Sequence, residues 1–142
     1  QSSKQIYANR GANGIDGQVS TYLGWAESFQ SSFCLIGDLT ALYDLASLGL
    51  TPQLQKSKKR VVVINNFGGQ IFQRVFKNDL FINAHQVQFK SWAELWNWNY
   101  QLVLKSEDLA KMNPEHLVIE IQPDAEQTKQ FWTEWDEACR KA

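Results

Sequence analysis

Asp38 and Asn66 are the residues whose types and spacing most suggest chemistry. Asp38 ends a short apolar run, Ser32-Phe-Cys-Leu-Ile-Gly37, and precedes Leu39-Thr-Ala-Leu-Tyr-Asp-Leu-Ala-Ser-Leu48, where apolar residues recur at helical spacing. The pattern predicts a buried strand, then a helix, with Asp38 at the junction. Unpaired N–H groups at a helix start suit a phosphate, but a carboxylate placed there repels one unless a cation stands between them. Magnesium does this with oxygen ligands, usually one or two carboxylates plus phosphate and water. Arg60-Val-Val-Val-Ile-Asn-Asn66 supplies the other half. Its β-branched run without alternation reads as a central parallel strand, and its two amides fall at the carboxyl edge, where ligands of open α/β sheets bind. An Asn oxygen and a neighbouring backbone carbonyl can complete the metal's shell, and Gly68-Gly69 lets the backbone come close. Alone, a Gly-Asp before a helix is an ordinary cap and Asn-Asn after a strand an ordinary loop; the pairing on these elements carries the reading.

Three segments, Asn9-Arg-Gly-Ala-Asn-Gly-Ile-Asp-Gly17, Gly37-Asp-Leu-Thr-Ala-Leu-Tyr-Asp-Leu45 and Ile64-Asn-Asn-Phe-Gly-Gly-Gln-Ile-Phe72, resemble in order and spacing the C-terminal domain of the SEPHCHC synthase (MenD) family of menaquinone biosynthesis. Other thiamine enzymes usually carry Gly after the Gly-Asp pair, and Leu39-Thr40 with Tyr43-Asp44 is similar to the variant of this family. The likeness runs from about residue 6 to about residue 123. It implies a thiamine diphosphate-binding fold, an α/β three-layer sandwich around a mostly parallel sheet, with residues 1–142 as the C-terminal diphosphate and magnesium domain of a longer multidomain enzyme. It implies Asp38, Asn66 and the carbonyl of Gly68 as magnesium ligands, and Gly37 with the amides near Leu39 and Thr40 at the diphosphate. Ile15 becomes the apolar wedge under the bent cofactor, while Ile71 and Phe72, with Val75 a weaker candidate, line the pocket beside the reactive carbon. Arg10, on a glycine-rich loop, becomes a carboxylate clamp, since guanidinium pairs bidentately with carboxylates. The implied reaction is decarboxylation of 2-oxoglutarate and conjugate addition of the succinyl carbanion to isochorismate. The implied partner is the N-terminal pyrimidine-binding domain of a neighbouring subunit, which carries the catalytic Glu, in a cytoplasmic homodimer or homotetramer; the present chain is expected to be inactive alone. Phe67 departs from the pattern, standing where a small or polar residue is expected. The rival readings are an acetolactate-synthase-like lyase and a non-catalytic α/β binding module.

Composition narrows the classes further. The 142 residues fit one domain, and 14 Lys and Arg against 15 Asp and Glu leave no basic footprint for nucleic acid or an anionic membrane. The six Trp could stack on bases only beside a basic groove, so Trp92, Trp96 and Trp98 read as core or domain-contact residues. Lys56-Ser-Lys-Lys-Arg60 reads as a solvated loop. No run is long and apolar enough for a membrane span and no signal peptide is evident. Cys34 and Cys139 have no partner at ligand spacing, which fits two reduced thiols. His85 and His116 are likewise isolated and read as structural or surface residues. A chain starting at Gln1 without Met reads as a fragment.

These residues need a parallel sheet with crossover helices to position them. The pattern predicts strands at 5–8, 32–37, 60–66, 100–104 and 116–122, with helices over 18–29, from 39 to 48, over 91–97 capped by Ser91, and over 106–112. Residues 73–90 read as a long loop or short helix over the site, with another loop around Pro52. The glycine-rich loop 11–17 lacks the spacing of a dinucleotide fold. Asp124 caps a terminal amphipathic helix whose Phe131, Trp132 and Trp135 share a stripe, facing either the sheet or an absent domain.

Overall fold

The computed structural model describes residues 5–9, 14–54, 57–76, 78–111 and 115–141. Four strands, β1 (Ser31–Gly37), β2 (Lys58–Ile64), β3 (Asn99–Val103) and β4 (His116–Ile121), form a sheet in the order β1-β2-β4-β3. All three pairings are parallel. Helices α1 (Gln18–Ala26), α2 (Asp38–Tyr43), α3 (Gln70–Phe76), α4 (Lys90–Leu95) and α5 (Ala125–Lys141) connect and follow the strands, giving the expected α/β sandwich.

The Val61-Val62-Val63 run takes an interior strand, as its lack of alternation requires: Val61 and Val63 are fully buried on one face while Val62 packs on the other. On the first face α1, α2 and α4 build the main core, where Val19, Leu23, Leu48, Phe89 and Trp92 close over Val61, Val63 and Val118. Trp92 and Trp98 are buried, and their indole N–H groups are satisfied, Trp92 by the Leu45 carbonyl (2.7 Å) and Trp98 by Thr51 Oγ1 (2.8 Å). Trp96 donates to the same Leu45 carbonyl at 3.0 Å. The Trp-rich stretch is therefore core, and it clamps the segment that follows α2. The opposite face holds a smaller cluster of Val103, Leu117 and Ile119. By register Phe33 and Leu35 share that face at the β1 edge, yet they are 54% and 71% exposed.

Several local expectations are corrected. Residues 5–9 are exposed and, among the described residues, belong to no strand. The helix expected to reach Leu48 stops at Tyr43, and Ser47–Gln53 forms a 3₁₀ helix containing Pro52. The Asp44 carboxylate turns instead to the first turn of α1, accepting from the Ser20 N–H (2.9 Å) and Ser20 Oγ (3.1 Å). This supplies a cap that Gly17, at the left-handed φ of 67°, cannot provide. Ser91 is not a cap, since α4 begins at Lys90 after Phe89. The basic run is not a solvated loop either: Lys59 is fully buried and pairs with Glu27 (2.9 Å), and buried Arg60 donates to Ser31 Oγ (3.0 Å) with its guanidinium over the Phe33 ring.

Asp124 does cap α5, accepting from the Gln127 N–H at 2.8 Å. That helix buries no residue, and Phe131, Trp132 and Trp135 are 53%, 39% and 54% exposed, so the stripe is not buried against the sheet. Among the described residues no helix is long and apolar enough to cross a membrane.

Candidate functional site

β1 and β2 run parallel with Gly37 opposite Ile64, so the residues that follow them emerge side by side at the carboxyl edge. Asp38 is buried there. Its Oδ1 accepts from the Leu39 N–H at 2.7 Å and its Oδ2 from the Gly68 N–H at 2.8 Å. The loop after β2 reaches Asp38 through an unusual backbone: Phe67 has φ 62° and Gly68 φ 136°. A Cβ at Gly68 would lie 2.7 Å from the Ile82 carbonyl oxygen, so glycine is required by both conformation and space. Phe67 is the residue that departs from the expected small or polar type, and it sits in the left-handed region, where Asn and Asp are favoured over bulky side chains.

The two amides divide the work. Asn65 is fully buried and committed to the scaffold: its N–H donates to the Ile121 carbonyl (2.8 Å), and its Nδ2 to the Val87 carbonyl (2.9 Å) and Glu120 Oε1 (2.7 Å). Asn66 faces Asp38. With its amide nitrogen inward it donates to the Gly68 carbonyl at 2.7 Å and to Asp38 Oδ2 at 3.3 Å. Rotating that amide by half a turn puts its oxygen at the same point, 2.7 Å from the Gly68 carbonyl oxygen and 3.3 Å from Asp38 Oδ2. A cation at that point would offset the repulsion between those oxygens in the second state. One carboxylate, one amide and one carbonyl make a hard-oxygen set suited to magnesium, with room for phosphate and water ligands. Among the described residues there is no cluster of three His, Cys, Asp or Glu side chains, so a thiolate- or imidazole-rich zinc centre is not what these residues build.

Other expected site residues fall around this point with different exposure. Leu39 and Phe72 flank Gly69, whose Cβ would come within 3.4 Å and 2.9 Å of their side chains. Thr40 is half-buried in α2, which is only six residues long, so its dipole is small. The Leu39 N–H is already engaged by Asp38. Ile15 is half-buried in the turn before α1, and Gly37 is exposed at the end of β1. Ile71 and Val75 are 70% and 65% exposed on α3, and Phe72 43%. Arg10 lies outside the described residues.

Two positions at or behind the site escaped the sequence reading. His85, read as structural or surface, is mostly buried with Nε2 3.2 Å from Asp38 Oδ2. Glu120 is a fully buried carboxylate in an apolar strand, and that mismatch is the signal that could have found it. It accepts from Asn65 Nδ2, Gln122 Nε2 (2.7 Å), the Phe89 N–H (2.8 Å) and Tyr100 OH (2.8 Å). Burial alone would raise its pKa, but these donors outweigh burial and hold the carboxyl below its ordinary value. Burial and the Glu120 contact push the Tyr100 hydroxyl well up, keeping it a donor. Glu120 and Asn65 thus bolt the 87–89 segment to the sheet and fix the approach of His85. His116 is structural as expected, stacked on Trp98 with ring centroids 5.0 Å apart. Burial, then Lys59, lowers its pKa.

No family model matches the chain. It is 56% identical over 134 residues to the 2-succinyl-5-enolpyruvyl-6-hydroxy-3-cyclohexene-1-carboxylate synthase of Bdellovibrio bacteriovorus, covering 93% of this chain and 26% of that protein. It is 38% identical over 141 residues to the synthase of the same name from Akkermansia muciniphila, covering 91% of this chain and again 26% of the relative. The chain is a homologue of one segment of the SEPHCHC synthases. It spans about a quarter of the length of these relatives, and both matches extend over the Trp-rich stretch as well as the site loops.

Proposed function

We propose that this chain is the diphosphate- and magnesium-binding part of a SEPHCHC synthase acting in menaquinone biosynthesis. The observation that carries the proposal is the convergence of the Asp38 carboxylate, the Asn66 amide and the Gly68 carbonyl at one point of the sheet's carboxyl edge. The homology to synthases of that name supports it. Asp38, Asn66 and the Gly68 carbonyl would hold magnesium, which would supply positive charge for the diphosphate of thiamine diphosphate. When bound, the thiamine ring supplies the electron sink for decarboxylating 2-oxoglutarate and adding the succinyl unit to isochorismate. The chain's own residues orient and shield. Leu39 and Phe72 close an apolar wall at Gly69, and Ile15 and Ile71 would supply further apolar contact to the cofactor. Arg10 pairs with a substrate carboxylate, and the pyrimidine half of the cofactor is held by the N-terminal domain of a neighbouring subunit.

A pair of substitutions in the full-length protein tests this. Asp38→Ala removes the metal anchor, so thiamine diphosphate binding, followed by calorimetry with magnesium, collapses together with activity. Arg10→Lys keeps charge but loses the bidentate fork, so it raises KM or lowers kcat with 2-oxoglutarate or isochorismate while cofactor affinity stays near wild type. Unchanged magnesium and cofactor binding in Asp38→Ala refutes the metal assignment. Loss of cofactor binding in Arg10→Lys as severe as in Asp38→Ala moves Arg10 to the diphosphate.

A further inference from the structure

We propose that His85 is a positioning residue of the Asp38 site: an imidazole whose Nε2 faces Asp38 Oδ2 and whose N–H there holds that carboxylate in its metal-binding orientation. The inference rests on the metal reading above and concerns a residue that the reading does not use.

The tautomer follows from the backbone. The Val87 N–H donates to His85 Nδ1 at 3.1 Å, so Nδ1 offers its lone pair and the ring proton sits on Nε2. Nε2 is buried and lies 3.2 Å from Asp38 Oδ2, yet no aligned hydrogen bond completes it. A buried N–H 3.2 Å from a carboxylate oxygen, with no other partner, is a contact that closes when the carboxylate is drawn into its working position. The ring has little freedom to turn elsewhere. It packs edge-on to Phe67, with centroids 6.2 Å apart, and its own backbone N–H donates to the Phe67 carbonyl at 3.3 Å.

The elements add weight to this. Asp38 follows β1 and Asn66 follows β2, whereas His85 comes from the loop between the 3₁₀ helix at Asp79–Phe81 and α4. That loop returns to the site because Asn65 Nδ2 holds the Val87 carbonyl at 2.9 Å. A nitrogen carrying its proton has no lone pair for a metal, so in this tautomer His85 is no ligand. Donors behind ligating carboxylates orient the first shell, and their loss typically weakens metal binding by about 10–100-fold.

The test uses the full-length protein with Mn²⁺ as a magnetic stand-in for magnesium. His85→Ala is expected to weaken Mn²⁺ binding by about 10–100-fold, Asp38→Ala to abolish it, and His85→Gln, which keeps an N–H donor of similar reach, to recover most of the loss. In wild-type protein labelled with ¹⁵N-histidine, NMR is expected to show His85 protonated at Nε2 and bare at Nδ1, before and after magnesium is added. That readout needs no variant to fold. A bare Nε2, a His85→Ala protein that binds Mn²⁺ like wild type, a His85→Gln protein as weak as His85→Ala, or a nitrogen hyperfine coupling of directly bound imidazole each overturns the inference. Equal Mn²⁺ binding by wild type and Asp38→Ala overturns the metal reading itself, a result distinct from the loss of His85's role alone.

Discussion

Gly68→Ala is the substitution for which the structure gives the most direct magnitude. Gly68 sits at φ 136°, and a Cβ there would meet the Ile82 carbonyl oxygen at 2.7 Å and the Ala84 Cα at 3.2 Å. Both obstacles are backbone, so no side-chain rotation relieves them. The Ile82 carbonyl is also held in place, accepting the Gly69 N–H at 2.6 Å. Forcing an alanine into a glycine-only conformation costs about 1–3 kcal/mol, and overpacking adds about 1–3 kcal/mol. Allowing for loop relaxation, the expected loss is about 2–4 kcal/mol, which at a urea m-value of about 2 kcal/mol/M lowers the midpoint by about 1–2 M. Trp92 and Trp98 are buried, so tryptophan fluorescence reports the transition. Gly24 provides the control: it lies inside α1, and a Cβ added there would meet nothing within 4 Å, so Gly24→Ala is expected to stabilise by about 0.5–1 kcal/mol. A Gly68→Ala midpoint equal to that of wild type would refute the claim that this loop is pinned against the 82–84 segment.

Further outcomes follow from the same contacts. Phe67→Asn, at φ 62°, is expected to raise stability by about 1 kcal/mol because Asn tolerates the left-handed region; an unchanged or lower urea midpoint counts against strain at Phe67. Glu120 has its folded pKa held below the ordinary 4.5, so its contribution is present above that value and fades as pH falls below it. The stability gap between wild type and Glu120→Gln should therefore be wide near neutrality and shrink in acid, and a gap independent of pH would show that the carboxylate's charge is not what the network uses. Burial, with Asp44 nearby, pushes the Cys34 thiol up to about 11, whereas Cys139 is exposed. Alkylation of the native chain should label Cys139 faster than the half-buried Cys34, and two equal rates would contradict the shielding of Cys34 and its raised pKa.

The parts of the fold that could be read from the sequence are those for which composition has one physical solution. Val61-Val62-Val63, without polar alternation, fits only a strand covered on both sides, and the Asp38 and Asn66 positions at its edge follow from that placement. Asp124 lies one residue before a polar-apolar helical pattern, and the cap it predicts is local. Where the outcome depended on a distant partner the reading failed. Leu39 to Leu48 has helical spacing throughout, but Asp44 ends the helix by serving α1, 24 residues away. Lys59 and Arg60 look solvated in sequence because Glu27 and Ser31, their partners across the sheet's amino edge, are far along the chain.

The site shows the same division more sharply. Asn65 and Asn66 are chemically identical neighbours, and propensity cannot assign one to scaffold and the other to chemistry. Alternation does it once the strand is fixed: consecutive residues of an extended chain point to opposite sides, so if Asn65 turns inward toward Glu120, Asn66 turns outward toward Asp38. The buried carboxylate in β4 therefore decides which amide is left to face Asp38. That same carboxylate, by holding Phe89 and sharing Asn65 with Val87, sets the loop from which His85 reaches Asp38. Glu120 commits Asn65 to the scaffold, which leaves Asn66 as the amide beside Asp38, and it places the histidine. A buried charge in a central strand is costly unless fully paired, and here its four donors are the elements that must be held still for the site to exist.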